Sequence, residues 1–235
     1  MTTPQLPLGL KFPAHQRFDE YVAGENAAAI AALVKSLADP VAPWVFLAGA
    51  EGSGKTHLLI AACQQDPARR VQYLPLASLG PQAEAALMSL EDFDLVCLDD
   101  VHAVAGHRGA EIALFDVFNR GRAQRATLVF AARRAPATLP FELPDLASRL
   151  SSSTQFLLKP LADDERRRVL KARATQRGFE LDDAVLDFLF RRYPRDLGAL
   201  LELLDRLDRE SLAQQRRVTV PFLRRIMGLP STRNP

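Results

Sequence analysis

Trp44-Val-Phe-Leu-Ala48 runs straight into Gly49-Ala-Glu-Gly52-Ser53-Gly54-Lys55-Thr56, and His57-Leu-Leu-Ile60 follows. The first five residues read as a short apolar strand. The next eight have the Gly-x4-Gly-Lys-Thr spacing of a phosphate-binding loop, and a helix is predicted beyond them to about Gln65. In such a loop Gly49, Gly52 and Gly54 allow backbone N–H groups, with that of Ser53 among them, to turn toward phosphate oxygens. The helix N-terminus adds its positive dipole end. Lys55 then neutralises the β- and γ-phosphates, the Thr56 hydroxyl is a magnesium ligand, and His57 leads from the loop into the helix. A glycine-rich turn arising by chance would lack the strand before and the helix after.

Farther along, Leu95-Val-Cys-Leu98 is an apolar strand that ends in Asp99-Asp100. Alone, two aspartates after an apolar run are as well explained by a strand ending at a helix cap. Behind a phosphate loop they supply the acid that holds magnesium, Asp99, and one placed to orient water, Asp100.

The remaining elements alternate. Asn26 is a good N-cap for a helix through Asp39, which Pro40 stops. Val71–Leu74 and Thr127–Ala132 read as strands, Gln82–Leu90 and Glu111–Gly121 as helices. Strands alternating with helices predict an α/β domain, a parallel sheet flanked by helices. After Pro160 the pattern turns all-helical: Asp163–Arg177, Asp182–Tyr193, Asp196–Gln214 with leucines at 197, 200, 201, 204 and 207, and Thr219–Met227 with Pro221 in its first turn. The expected organisation is a tail over residues 1–17, an α/β nucleotide-binding domain over 18–160, a helical lid over 161–229 and a short tail over 230–235.

The chain has 235 residues, 48% of them hydrophobic, and a formal net charge of +2. That balance excludes a strongly basic nucleic-acid coat protein and leaves a local basic patch possible. Cys63 and Cys97 belong to no metal-binding or redox spacing, so a reducing cytoplasmic setting is expected. No secretory pattern opens the chain and no apolar run is long enough for a membrane span. Arg120, Arg122 and Arg125 read as a solvated face, and the histidines show no metal spacing.

With these residues in place, the chain resembles the AAA+ ATPases and, within them, the DnaA family. Phe18-Asp19-x-Tyr21-Val22-x-Gly24-x-Asn26 is similar to the segment that wraps the adenine in that family, which places Val22 at the nucleotide. Gly49–Leu59 and Leu98-Asp99-Asp100-Val101 are also DnaA-like. Leu146-Ala-Ser-Arg149-Leu150 resembles the stretch that presents an arginine finger to a neighbouring subunit. Arg195-Asp-Leu197 resembles the sensor-2 arginine of the lid. The resemblance spans roughly residues 16–228 and implies an adenine nucleotide, ADP or ATP, with Mg.

Two features narrow it. DnaA continues into a helix-turn-helix DNA-binding domain after its lid and has a long N-terminal region, whereas this sequence ends at Pro235 and opens with a short tail. That tail contains Gln5-Leu6-Pro-Leu8-Gly-Leu10, similar to the Q-L-x-L-x-L/F peptide by which bacterial proteins bind the β sliding clamp of DNA polymerase III. With Asp145–Leu150 and Arg177-Gly-Phe-Glu-Leu181, these features resemble the regulatory inactivators of DnaA. The resemblance implies a negative regulator of replication initiation with DnaA and the clamp as partners. Homo-oligomerisation and direct DNA contact stay open.

A third feature concerns hydrolysis. Where hydrolytic members carry a polar sensor, this chain reads Phe130-Ala131-Ala132-Arg133, and alanines cannot hydrogen-bond a phosphate or a water. Weak intrinsic hydrolysis is expected, with Arg149 acting in trans on a partner's ATP. The alternative is an AAA+ helicase loader or remodeller driven by its own ATP, which Lys55, Thr56, Asp99 and Asp100 permit. A nucleotide kinase lacks a matching acceptor site. The bland readings are a stray leucine-rich terminus for residues 5–10, a surface ion pair for Arg149 and a capping or pairing role for Arg195.

Overall fold

The computed structural model describes residue 12 and residues 16–193, 197–214 and 216–228. Within residues 1–159 a parallel sheet is built from β1 (Val45–Gly49), β2 (Val71–Pro75), β3 (Leu95–Asp99), β4 (Thr127–Ala132) and β5 (Thr154–Leu158). The strand order is β2-β3-β4-β1-β5, so β1 lies between two strands that come much later in the chain. All paired strands run parallel, with Val45 in register with Val129 on one side and Thr154 on the other.

Side chains alternate across each strand and feed two cores. Val45, Leu47, Cys97, Val129 and Ala131 pack beneath α1 (Ala27–Ala38) and α2 (Lys55–Cys63). Phe46, Leu98 and Phe130 pack on the other face with α4 (Ala83–Met88), α5 (Arg108–Gln124) and α6 (Pro144–Ser151). A four-residue helix, α3 (Leu76–Leu79), precedes α4. Strands covered on both faces are apolar along most of their length, and β1, β3 and β4 are buried from end to end, Asp99 and Thr127 included. Each fully buried Leu or Phe contributes about 1.5–3 kcal/mol.

The sequence reading anticipates four of these strands and misses β5, α3 and α6. It also misassigns the Asn26 side chain. Asn26 precedes α1, but its amide makes no cap; it donates to Lys159 O at 2.8 Å and accepts from Lys159 N at 2.9 Å. The buried amide thus extends the edge of β5 as a backbone peptide would. Arg122 and Arg125 are exposed, as expected of a solvated face, with Arg122 4.5 Å over the Trp44 ring, but Arg120 is only partly exposed: it donates to Leu87 O (3.2 Å) and to Leu90 O and pairs with Asp116 at 2.9 Å.

Residues 160–235 form a second compact unit. Its helices are α7 (Asp163–Gln176), α8 (Asp183–Arg192), α9 (Leu197–Gln214) and α10 (Val220–Ile226). They enclose a core of Leu170, Leu186, Leu204, Leu207 and Leu223. Asp163, Asp164 and Glu165 in the first turn of α7 complement its dipole, and Glu165 accepts from Ala162 N at 2.9 Å. Arg167–Asp187 (2.8 Å) and Lys171–Asp183 (2.7 Å) tie α7 to α8. Thr219 caps α10 by accepting from Phe222 N. No helix among the described residues is long and apolar enough to cross a membrane.

Candidate nucleotide-binding site

β1 delivers the chain to Gly49 at the carboxyl edge of the sheet, and α2 starts at Lys55. Gly54 is left-handed at φ 88°, and a Cβ there would also strike the Tyr21 ring at 2.6 Å. A Cβ on Gly49 would lie 2.6 Å from Ser53 Oγ and 2.9 Å from Leu158 O. Both positions therefore need glycine, one for its dihedral and both for space. Lys55 Nζ donates inward to Gly49 O (2.8 Å), Ala50 O (2.7 Å) and Ser53 Oγ (3.4 Å). Burial pushes its pKa down, while the Asp99 and Asp100 charges oppose the shift.

Asp99, at the end of β3, is 2% exposed. It accepts from Thr56 Oγ1 at 2.6 Å and from the Tyr73 hydroxyl at 3.1 Å, both on Oδ2, while Asp100 N donates to Oδ1 at 3.0 Å. Burial raises its pKa, and the Thr56 bond pulls the other way. A hydroxyl and a carboxylate this close, next to a phosphate loop, form a hard-oxygen pair that fits magnesium, an ion that keeps waters and phosphates for its other positions. Asp100 adopts φ 54° and is half-buried, with His102 Nδ1 3.9 Å from its Oδ1. Burial lowers the His102 pKa, which favours the neutral imidazole.

The segment before the loop folds over it. The Tyr21 hydroxyl donates to Ser53 O at 3.2 Å, and its ring meets that of His57 edge-on at 5.2 Å. His57 Nε2 contacts Arg17 O at 2.9 Å, and Gln64 donates to Gln16 O at 2.8 Å. Val22 is exposed, and Tyr21 is the residue of this segment that touches the loop. Gly49, Gly52, Ser53, Gly54, Lys55, Thr56, His57, Asp99 and Asp100 therefore converge at one edge of the sheet. Arg195 and the tail residues Gln5, Leu6, Leu8 and Leu10 lie outside the described residues.

Arg149 stands in the last turn of α6, exposed, with its guanidinium 5.9 Å from the Phe115 ring centre and 6.0 Å from that of Phe118. Leu146 and Leu150 anchor the buried side of the helix. Among the described residues Arg149 has no carboxylate partner and no hydrogen bond to the phosphate loop. The start of α6 is fastened by Glu111, which is fully buried in α5. Glu111 accepts from Gly106 N (2.8 Å), Glu142 N (3.0 Å) and Leu143 N (2.7 Å).

Sequence reasoning passed over Tyr73 and Glu111. The tyrosine in β2 carried no motif, and the glutamate looked like one more acid in the first turn of a helix. Only the fold brings their partners to them.

Comparison with known proteins places this geometry. The bacterial DnaA ATPase domain family matches residues 13–158, and the Hda lid domain family matches residues 163–227. Domain III of the replication initiation protein DnaA from Thermotoga maritima superposes with a TM-score of 0.76 at 23% identity, covering 92% of this chain and 97% of that one. AMPPCP-bound DnaA from Aquifex aeolicus gives 0.65 at 23% identity, covering 86% of this chain and 68% of that one. The Thermotoga maritima RuvB Holliday junction branch migration motor gives 0.63 at 22% identity, covering 91% and 71%. At these identities the structures speak for the fold alone. The family match extends over more than half of the chain, and the chain belongs to the bacterial DnaA ATPase domain family, as a DnaA-homologous AAA+ protein with an Hda-type lid.

Proposed function

We propose that this chain is a nucleotide-holding regulator that switches off DnaA. In this reading the loop at Gly49–Thr56 holds an adenine nucleotide, with Lys55 on its phosphates and Thr56 and Asp99 holding magnesium. The metal supplies charge neutralisation between the phosphates. The chain's own residues bind and orient them: Lys55 exchanges its loop carbonyls for phosphate oxygens, and Tyr21 closes over the loop. The leucines of residues 6, 8 and 10, with Gln5, dock on the β sliding clamp. A dimeric clamp offers more than one docking site, which raises the avidity of a short peptide.

Arg149 then reaches ATP bound to DnaA and stabilises the charge that develops as the γ-phosphoryl group leaves. A finger supplied in trans accelerates such hydrolysis about 10³–10⁵-fold. The observation that carries this reading is Arg149 itself. It is an exposed guanidinium without a carboxylate partner among the described residues, on a helix anchored at both ends. The pairing of a DnaA-type ATPase domain with an Hda-type lid adds support. The fully buried alanines 131 and 132 leave no neutral polar group at the end of β4 to orient a water in this chain's own site.

The test is hydrolysis of ATP preloaded on DnaA, with clamp loaded on DNA. Wild-type protein should accelerate it. Arg149→Ala should lose most of the acceleration while still binding clamp, and deletion of residues 1–10 should abolish clamp binding without unfolding the chain. If wild type leaves the ATP on DnaA intact and turns over its own, the protein is an ATP-driven loader or remodeller instead.

A further inference from the structure

Tyr73 is the middle residue of β2, the strand at one end of the sheet beside β3. It is in register with Cys97, two residues before Asp99, so Tyr73, Cys97 and Asp99 share one face of the sheet. The Tyr73 ring packs against the core on that face, where Cys63 and Cys97 are buried. Phe12 meets the ring edge-on, with centroids 5.9 Å apart and planes at 85°. The hydroxyl reaches along the strands to donate to Asp99 Oδ2 at 3.1 Å. The buried carboxyl is thus held from three sides. Thr56 Oγ1, in α2, donates to the same oxygen at 2.6 Å, and Asp100 N donates to Oδ1 at 3.0 Å. The backbone ladder already pairs β2 with β3 from Val71 to Pro75, so the strands do not need this hydroxyl to stay together. What it adds is a fixed rotation of the Asp99 carboxyl, a torsion that is otherwise broad.

We propose that Tyr73 is a positioning residue of the magnesium site, its hydroxyl setting the Asp99 carboxyl in the orientation that receives the ion together with Thr56. The inference rests on the nucleotide reading of the loop. Tyr73 acts through Asp99 and is not itself a ligand, since magnesium favours carboxylate, carbonyl and water oxygens over a neutral phenol. Carboxylates that hold a metal are themselves held by outer hydrogen bonds, and magnesium tolerates little departure from octahedral geometry. Without the Tyr73 hydroxyl, Thr56 is the one side-chain donor left on Asp99. Thr56 is also the second residue that holds the ion, so the pair would then have only each other and the Asp100 N–H to set their orientation. Tyr73 supplies a reference from a different strand, and Phe12 steadies the ring that carries it.

The experiment is equilibrium binding of ADP to the full chain, first in excess EDTA and then across a magnesium titration. Wild type and Tyr73→Phe are compared, with apo thermal melts to show that both fold. Phenylalanine keeps the ring and its contact with Phe12 and removes only the hydroxyl. Tyr73→Phe should bind ADP in EDTA within about twofold of wild type, and should need about tenfold more magnesium to reach half of the metal's full effect. A magnesium midpoint equal to that of wild type overturns the inference. So does a loss of ADP affinity by the same factor with and without magnesium, which would make Tyr73 a packing residue only. Both of these outcomes leave the nucleotide reading standing. If wild type binds ADP with no response to magnesium, the inference falls and nucleotide binding stands; if wild type binds no ADP, both fall together.

Discussion

Asp94 and Asp99 bracket β3, and their carboxyls are shifted in opposite directions. The Arg70 side chain and backbone N–H hold Asp94 at about 2. Burial raises Asp99. The signs follow. A depressed carboxyl adds stability above its ordinary pKa of about 4, and that contribution disappears as pH falls through the folded value. A raised carboxyl favours the folded apo protein in acid and loses that contribution as pH rises through its folded value. Asp94→Asn should therefore lower the urea midpoint slightly near neutral pH, the pair being exposed and screened. The gap from wild type should close between about pH 4 and 2. A gap that persists at pH 2 would show that the pair's charge is not what holds the entries of β2 and β3 together. At this scale the sequence was informative wherever chemistry lies in spacing: Lys55, Thr56 and Asp99 are named by their motif. Tyr73 reaches Asp99 only because β2 and β3 are adjacent, with Tyr73 opposite Cys97, and no local pattern reports that pairing.

Among the elements, α6 depends on a residue of α5. Glu111 is wholly buried, and three backbone N–H groups converge on its two oxygens. Glu111→Ala should destabilise the protein by about 2–4 kcal/mol, because those donors lose their acceptor in a dry interior. Glu111→Gln should recover part of that, since its amide nitrogen would face Leu143 N, a donor against a donor. Chemical denaturation of the two variants checks this. Equal stability of Glu111→Ala and wild type would mean that water replaces the carboxylate. The elements the sequence hid are those with weak periodicity. β5 is an edge strand that buries only Leu158 fully, so neither an apolar run nor a clean alternation marks it. α6 has eight residues and opens on a proline. β1, β3 and β4 were legible because both of their faces are covered.

The whole molecule divides into two units with separate cores, and the Lys55–Thr56–Asp99 cluster lies entirely in the first. The second holds its own ion pairs and leucine core, so residues 160–235 expressed alone should give a helical spectrum and a cooperative melt. A broad, non-cooperative melt would show that this unit borrows its stability from the rest of the chain. The α/β unit is the opposite case. Its first strand, β1, has both neighbours, β4 and β5, late in the chain, and the Asn26 amide waits for Lys159. On the ribosome, Val45 emerges roughly 80 residues ahead of Val129, about 4–16 s at ordinary synthesis rates. For that interval the nascent chain carries Val-Phe-Leu-Ala with neither of its neighbouring strands yet made. The time at which β4 and β5 leave the exit tunnel, rather than the completion of the phosphate loop, sets when this unit can close and when chaperones can let it go.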